Sequence, residues 1–388
     1  MTLSTVQSNN KLVKYTEEIN FEYVRENLFS PYMGEDITSI IRVRNQMKSG
    51  GEQMNIPLVA RLKGTGVSTG PLTGQEEEID DYGCRLWVDF ARNAVKTNKY
   101  QQQIDSADVF GSAKPLLSDW GKELQRDEII EAMMALPSEA APPGLAVGAG
   151  NRVNGIKFEA STAADRNTWV AGNADRILFG ASRGNYNATF ATALDTIDLT
   201  LDKCDRKALS LMKYMAKQAQ PRIRPMKVED GREYLVVFAD GATFRDIKES
   251  LYEVNKDSRA REGGGFGKNP LARDGDLEWD GLIIREIPDI DPYVFGGVAG
   301  QPNWTTQLTN TGTILCHPVF MCGQSALSLG WGQMARPTFL KDDDYQFNTG
   351  AGVEMCYGVG KLFKKHPKAS GPLKQWGMVT GFFAASAM

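Results

Sequence analysis

From Met54 to Phe90 the chain reads MNIPLVARLKGTGVSTGPLTGQEEEIDDYGCRLWVDF. Its two ends, Met54 to Leu62 and Ile79 to Phe90, carry strand-like apolar patterning, with Leu86, Val88 and Phe90 alternating on one expected face. Between them KGTGVSTGPLTGQEEE holds Gly64, Gly66, Gly70 and Gly74, which loosen the backbone and supply no side chain to pack. The pattern predicts a long hairpin with a flexible, glycine-rich tip. Two strands alone are marginally stable in water, and this tip has too little apolar content to bury itself. The finger must therefore find a surface elsewhere.

On the N-terminal side, Tyr15 to Asn27 and Ile37 to Met47 are amphipathic but lack the apolar mass of a core, so residues 1–52 read as an arm that packs on something else. On the C-terminal side, Ser106 to Leu136 predicts a helix. From Pro115, well placed in a helix's first turn, Leu117, Trp120, Leu124, Ile130 and Met134 share one broad face. Pro137 ends it, and the Pro-, Gly- and Ala-rich run Ser138 to Gly155 marks a boundary. Ile197 to Lys217 predicts a second helix through Leu201, Cys204, Ala208, Leu211 and Met215, stopped by Pro221. RPMKVEDGREYLVVFA then reads as strand, turn at Asp230-Gly231, strand. A third helix follows Gly241 on Phe244, Ile247, Leu251 and Val254, and Arg259 to Asp276 reads as a loop. Further strands are expected at Gly281 to Ile287, Thr313 to Met321, Ala351 to Leu362 and Gln375 to Ala384, with a helical piece near Gln324 to Leu329. No fixed-period repeat is present, which removes solenoids and propellers.

The chain has 388 residues and a mass of 42.8 kDa. A compact monomer of that size exposes about 15,000 Å² against about 62,000 Å² unfolded, so a substantial core is available. The net charge is −4, without a domain-sized basic block, which argues against sequence-specific DNA reading. The polar Met1 to Asn10 and the short apolar run Met378 to Met388 predict neither secretion nor a membrane span. Five cysteines, an odd and scattered set, read as reduced thiols.

Motifs for chemistry fail on spacing. GGGFGKN at Gly263 to Asn269 lacks the phosphate-loop pattern, because Glu262 stands at its first glycine position and Asn269 at its hydroxyl position. The glycine clusters near Gly64 and Gly148 miss the dinucleotide pattern at Thr69 and Val153. Cys316-His317 with Cys322 lacks a fourth zinc ligand and paired spacing. Neither His317 nor His366 sits in a nucleophile signature. The acidic runs Glu76 to Glu78 and Asp342 to Asp344 lack the alternating ligands of a calcium loop. No catalytic, cofactor or metal residue is expected.

The finger is also where a family pattern becomes legible. PLVARLKGTGVSTGPLTGQEEEIDDYGCRLWVDFARNAV (57–95) resembles the major capsid proteins of tailed bacteriophages, in the branch typified by podophages that carry a virion RNA polymerase. LLSDWGKEL (116–124), DRILFG (175–180), PRIRPMKV with REYLVVFA (221–239), the FRDIKESL helix, ARPTFL with DYQFNTGAGVEMCYGVGKLFKK, and WGMVTGFFAASA resemble the same family in the same order. The resemblance covers the chain from about residue 20 to its end.

It implies an α+β fold of the Hong-Kong-97 type. The implied parts are an N-terminal arm (1–52), an extended hairpin loop or E-loop with its base strands (53–92), a peripheral domain with a spine helix (93–155), an axial domain (156–335), and C-terminal strands returning to the peripheral domain (336–388). The implied contacts between copies are Lys63, Gly64, Gly66, Gly70, Gly74, Glu76, Glu77 and Glu78 of the finger, with Arg92 of the ARNAV motif. The implied partners are the chain itself, packaged double-stranded DNA by non-specific proximity, and portal, scaffold or decoration proteins, with no membrane. The implied location is the virion, after assembly in the host cytoplasm. Some capsids of this fold carry Lys-Asn isopeptide crosslinks; Lys63 lies near the tip, but no signature marks an acceptor Asn or a catalytic Glu. Two other readings remain from the residues: a different virion component, such as a decoration or tail protein, and an α/β enzyme closing Arg259 to Asp276 over a phosphate-bearing substrate.

Overall fold

The computed structural model describes residues 27–45, 53–59, 61–62, 64–77, 79, 81–104, 113–142, 151–227, 232–252, 276–290, 308–340, 345, 347–365 and 372–386. In chain order the strands and helices begin with β1 (Met33–Gly34), β2 (Ile41–Arg44), β3 (Gln53–Val59), β4 (Asp81–Trp87), β5 (Asp89–Asn98), α1 (Lys99–Ile104), α2 (Ala113–Met134) and β6 (Val153–Asn154). There follow α3 (Ala163–Gly172), β7 (Ile177–Phe179), α4 (Phe190–Asp195), α5 (Arg206–Gln218), β8 (Met226–Lys227), β9 (Glu233–Ala239) and α6 (Gly241–Ser250). The last are β10 (Leu277–Trp279), β11 (Leu282–Glu286), β12 (Cys316–Cys322), β13 (Leu327–Phe339), β14 (Asn348–Lys361), β15 (Phe363–Lys364), β16 (Lys374–Gln375) and β17 (Met378–Ala384). The chain divides into two compact units, one of Met1–Asn27, Ala91–Leu124 and Ala335–Met355, the other of Leu28–Phe90, Gln125–Met334 and Cys356–Met388.

The second unit is organised by a seven-stranded sheet in the order β10-β11-β9-β12-β17-β7, with β8 added to β9. Its central strands β9, β12 and β17 are buried and mostly apolar along nearly their whole length because both faces are covered. One set of alternate residues, including Val237, Ile284, Met321 and Phe383, packs on Ala208, Met212 and Met215 of α5 and Phe244 and Ile247 of α6. The opposite set meets aromatic rings: Phe382 stacks on Phe179 at 5.4 Å and meets Phe190 edge-on at 5.5 Å, while Phe29 and Tyr32 close on Phe238. Period-two geometry sends successive side chains to opposite faces, so VVF and FFA each feed two cores.

In the same unit β2 pairs in parallel with β1 and with β13, from Leu327↔Ile41 to Gly330↔Arg44, and β6 pairs in parallel with β14. β3 and β4 form their own antiparallel pair, Gln53↔Trp87 through Val59↔Asp81. In the first unit the far parts of β13, β14 and β5 run side by side, held by bonds such as Leu340 N–H to the Gly350 carbonyl at 3.1 Å.

Several expectations change. The helical piece near Gln324 to Leu329 is the entry to β13, because the N–H groups of Ala326 and Leu327 both reach the Ile40 carbonyl and the ladder with β2 overrides local propensity. The second helix starts at Arg206, where the Asp205 carboxylate accepts from Ala208 N–H at 2.8 Å. The preceding Ile197 to Asp205 is a turn folded over Asp198 and Asp202, with Leu201 exposed. The first long helix is described from Ala113, and residues 105–112 lie outside the described residues. The predicted face along Leu86, Val88 and Phe90 breaks at its last member, which is 51% exposed, because β4 ends at Trp87 and a new strand begins at Asp89. Residues 336–388 do not return as one group: β17 enters the seven-stranded sheet between β12 and β7. Val254, the loop 259–275 and the glycine run 263–269 lie outside the described residues.

Candidate assembly surfaces

The finger is two-faced at its base. Met54, Ile56 and Leu58 of β3 and Cys84 and Leu86 of β4 turn inward onto Leu362 and Phe363, with Trp376 and Leu373 alongside. Gln53, Asn55, Pro57, Val59, Asp81, Gly83 and Arg85 face outward and are exposed. So β3 and β4 rest on the short β15–β16 pair as a platform, by side-chain packing and without a shared ladder. Tyr82 fixes the edge: its hydroxyl donates to Glu139 at 2.8 Å, and Lys365 Nζ donates to the same carboxylate at 2.9 Å. These two bonds hold the Glu139 carboxyl below the usual range, hydrogen bonding outweighing the small burial.

The corner between β4 and β5 is welded. The Asn154 side chain accepts from Trp87 N–H at 2.8 Å and donates to the Trp87 carbonyl at 2.9 Å, imitating a neighbouring strand. A β-carbon on Gly358 would sit 1.8 Å from that carbonyl, which is why β14 carries glycine there. Beside it Arg152 donates to the Phe90 carbonyl at 2.9 Å and to Glu128 of α2. Burial disfavours the Arg152 charge, yet Glu128 holds the guanidinium above its ordinary range.

The tip leaves apolar side chains in water. Leu62, Leu72 and Ile79 are 61%, 63% and 67% exposed, and Val59 and Val67 are exposed too. The glycine content does not announce this, although a sequence signal exists: Leu62, Val67, Leu72 and Ile79 lie between the two strands, and Val59 falls on the outward face of β3. Gly64, Gly66, Gly70 and Gly74 are all exposed, and Gly66 and Gly74 adopt positive φ of 76° and 86°, which glycine tolerates without strain. Glu77 and Glu76 are not idle charges: they accept the N–H groups of Gly64 and Gly74, and Glu77 thereby ties the two legs of the loop. Lys63 and Glu78 lie outside the described residues. Arg92 lies on β5, where it faces Glu354 at 3.8 Å; Arg336 binds the same carboxylate. In the first unit Val95, Phe339, Leu340, Tyr345 and Phe347 are also exposed, within motifs quoted above but given no role there.

His317 pairs with Asp240, and adjacent residues on a strand point to opposite faces, so Cys316 and His317 cannot share a ligand. Cys316 and Cys322 are the two ends of β12, about 20 Å apart along a strand. Burial pushes both thiols up to about 12. Among the described residues no group of three or more His, Cys, Asp or Glu could hold a metal ion, and no helix is long and apolar enough to cross a membrane.

A family model described as phage capsid protein matches residues 4–383. The chain belongs to the phage capsid protein family. The capsid chain is similar to the structure titled Cyanophage Pam1 capsid asymmetric unit, at 30% identity and TM-score 0.81, covering 100% of both chains. It is also similar to the capsid of Ralstonia phage GP4 (14% identity, TM-score 0.66, 100% of this chain and 99% of that one). The head of Helicobacter pylori bacteriophage KHP40 is similar as well (12%, 0.63, 98% and 96%). These last two share the fold. No curated protein matches the chain. The capsid chain therefore has the α+β fold of the Hong-Kong-97 type. It is a structural major capsid protein of a tailed phage, located in the virion, and not an enzyme. The enzyme reading gains no support from this membership.

Proposed function

We propose that copies of this chain assemble into pentameric and hexameric capsomers and close an icosahedral shell around double-stranded DNA, with the finger of each copy lying across its neighbour. The carrying observation is the exposure of Leu62, Leu72 and Ile79 on the finger, in a chain whose first unit exposes Phe339, Leu340 and Phe347. Exposed apolar side chains grouped on a segment that cannot bury them itself suit a contact with another copy. A contact between unlike patches is heterologous, so it propagates around a ring or along a sheet of copies. Arg92 contributes on the distal strands, and Lys63, Gly64, Gly66, Gly70, Gly74, Glu76, Glu77 and Glu78 on the finger.

In this reading residues 1–52 serve as the arm, 53–92 as the extended loop, 93–155 as the peripheral domain and 156–335 as the axial domain. The pairing of β17 with β12 and β7 supports adding residues 378–384 to the axial part. DNA is contained by non-specific proximity, since a chain of net charge −4 grips phosphates weakly. Portal, scaffold or decoration proteins complete the particle in the host cytoplasm. Negative-stain imaging of the purified chain tests the reading: rings, shells or aberrant polymers support it, and small closed oligomers alone refute it. Deleting Gly64 to Gly74 should leave a folded subunit that no longer closes shells.

A further inference from the structure

The end of β14 buries a lysine among described residues that offer it no opposite charge. Lys361 is 6% exposed, and its Nζ lies 5.2 Å from the centre of the Trp169 ring on α3. With the Gln375 amide oriented to satisfy its neighbours, its oxygen accepts from Lys361 Nζ at 3.1 Å and from Trp169 Nε1 at 2.6 Å. The titratable group facing it from β12 is the buried thiol of Cys322. Lys364 lies on β15, and Lys374 on β16 is drawn to Asp175 at 3.7 Å. Among the described residues no carboxylate pairs with Lys361. The next two residues, Leu362 and Phe363, are the platform under the finger's inner face, and the Leu362 carbonyl accepts from Trp376 N–H at 2.8 Å.

We propose that Lys361 is a proton-sensitive joint beneath the finger: uncharged, it lets α3, β14 and β16 close over it and steady the platform, and charged, it favours an opened platform. The role assigned to the finger rests on the proposed function; the joint itself rests on the burial of Lys361. Burial lowers the Lys361 amine to about 7, whereas water restores it to about 10.4. The closed form therefore holds fewer protons than the open one. It gains on the open form as pH rises from about 7 towards about 10, by up to about tenfold per pH unit, and this group adds no further dependence below about 7.

Hydrogen exchange of the full-length, unassembled chain tests the joint through peptides covering 53–59, 81–87 and 362–365, corrected for intrinsic rates from about pH 7 to about pH 9. Opening in the parent chain should fall several-fold per pH unit. Lys361→Met should be protected and flat, and Lys361→Arg, which stays charged, should be open throughout. A lysine 13Cε resonance absent from Lys361→Met should titrate near neutrality. Coincident exchange profiles for the parent and Lys361→Met, or a resonance titrating near 10, overturn the joint. Assembly of Leu72→Ser run in parallel separates the two claims. If the finger makes no contact between copies, Leu72→Ser assembles normally while exchange still follows Lys361. If the joint is wrong, exchange ignores Lys361 while Leu72→Ser still weakens assembly.

Discussion

Replacing Leu62, Leu72 and Ile79 together by serine removes the apolar surface that the finger offers to another copy. Each side chain is roughly two-thirds exposed in the isolated chain. Full burial of such a residue contributes about 1.5–3 kcal/mol, so about 1–2 kcal/mol per residue remains to be gained on docking. Three residues amount to about 3–6 kcal/mol per contact, or about a hundredfold to ten-thousandfold in its equilibrium constant. The concentration at which shells first appear, read by light scattering across a dilution series, should rise by about a hundredfold or more. The isolated subunit should unfold within about 0.5 kcal/mol of the parent, since exposed sites away from packing features are near neutral. An unchanged assembly threshold, with the triple variant folded, would show that these side chains are not buried between copies.

Other perturbations probe the scaffold behind the finger. Glu128→Ala strands the Arg152 guanidinium in a buried site and should cost about 3–5 kcal/mol in urea unfolding, with Glu128→Gln costing less. Tyr82→Phe should cost about 1 kcal/mol or less, because Glu139 is partly exposed. The Glu139 carboxyl is held low in the fold, so its contribution is present above the unfolded carboxylate range and is lost as pH falls through the folded value. The difference between Tyr82→Phe and the parent should therefore shrink as pH falls below the usual carboxylate range in a pH series of thermal melts. Gly358→Ala drives a β-carbon into the Trp87 carbonyl and should lower stability by at least about 3 kcal/mol, seen as loss of soluble, cooperatively unfolding chain.

The sequence made the hairpin legible because its apolar ends and glycine middle are local signals, and β3 and β4 pair in the register that alternation implies. Helices α5 and α6 were legible for the same reason, although the start of α5 depended on whether Asp205 or an earlier residue supplied the cap. Strand β13 was not: Ser325 to Leu329 suits either period, and only residues 41–44, nearly three hundred positions earlier, choose between them. The membership of β17 in the seven-stranded sheet is likewise a long-range fact, since MVTGFFA specifies a buried strand without naming its neighbours. At the finger, glycine drew attention away from Leu62, Leu72 and Ile79, whose meaning lies in what the fold leaves uncovered. In the acidic run, Glu76 and Glu77 accept the loop's own N–H groups, a pairing set by the loop's fold and invisible in the run of three like charges.

The most direct measurement is a cryo-EM map of assembled particles at side-chain detail. The account predicts that the finger of every copy crosses onto the next one, with Leu72 and Ile79 covered by a neighbour that presents Phe339 and Phe347. A map in which each finger folds back over its own chain, leaving the distal strands bare or covered by something else, would contradict it.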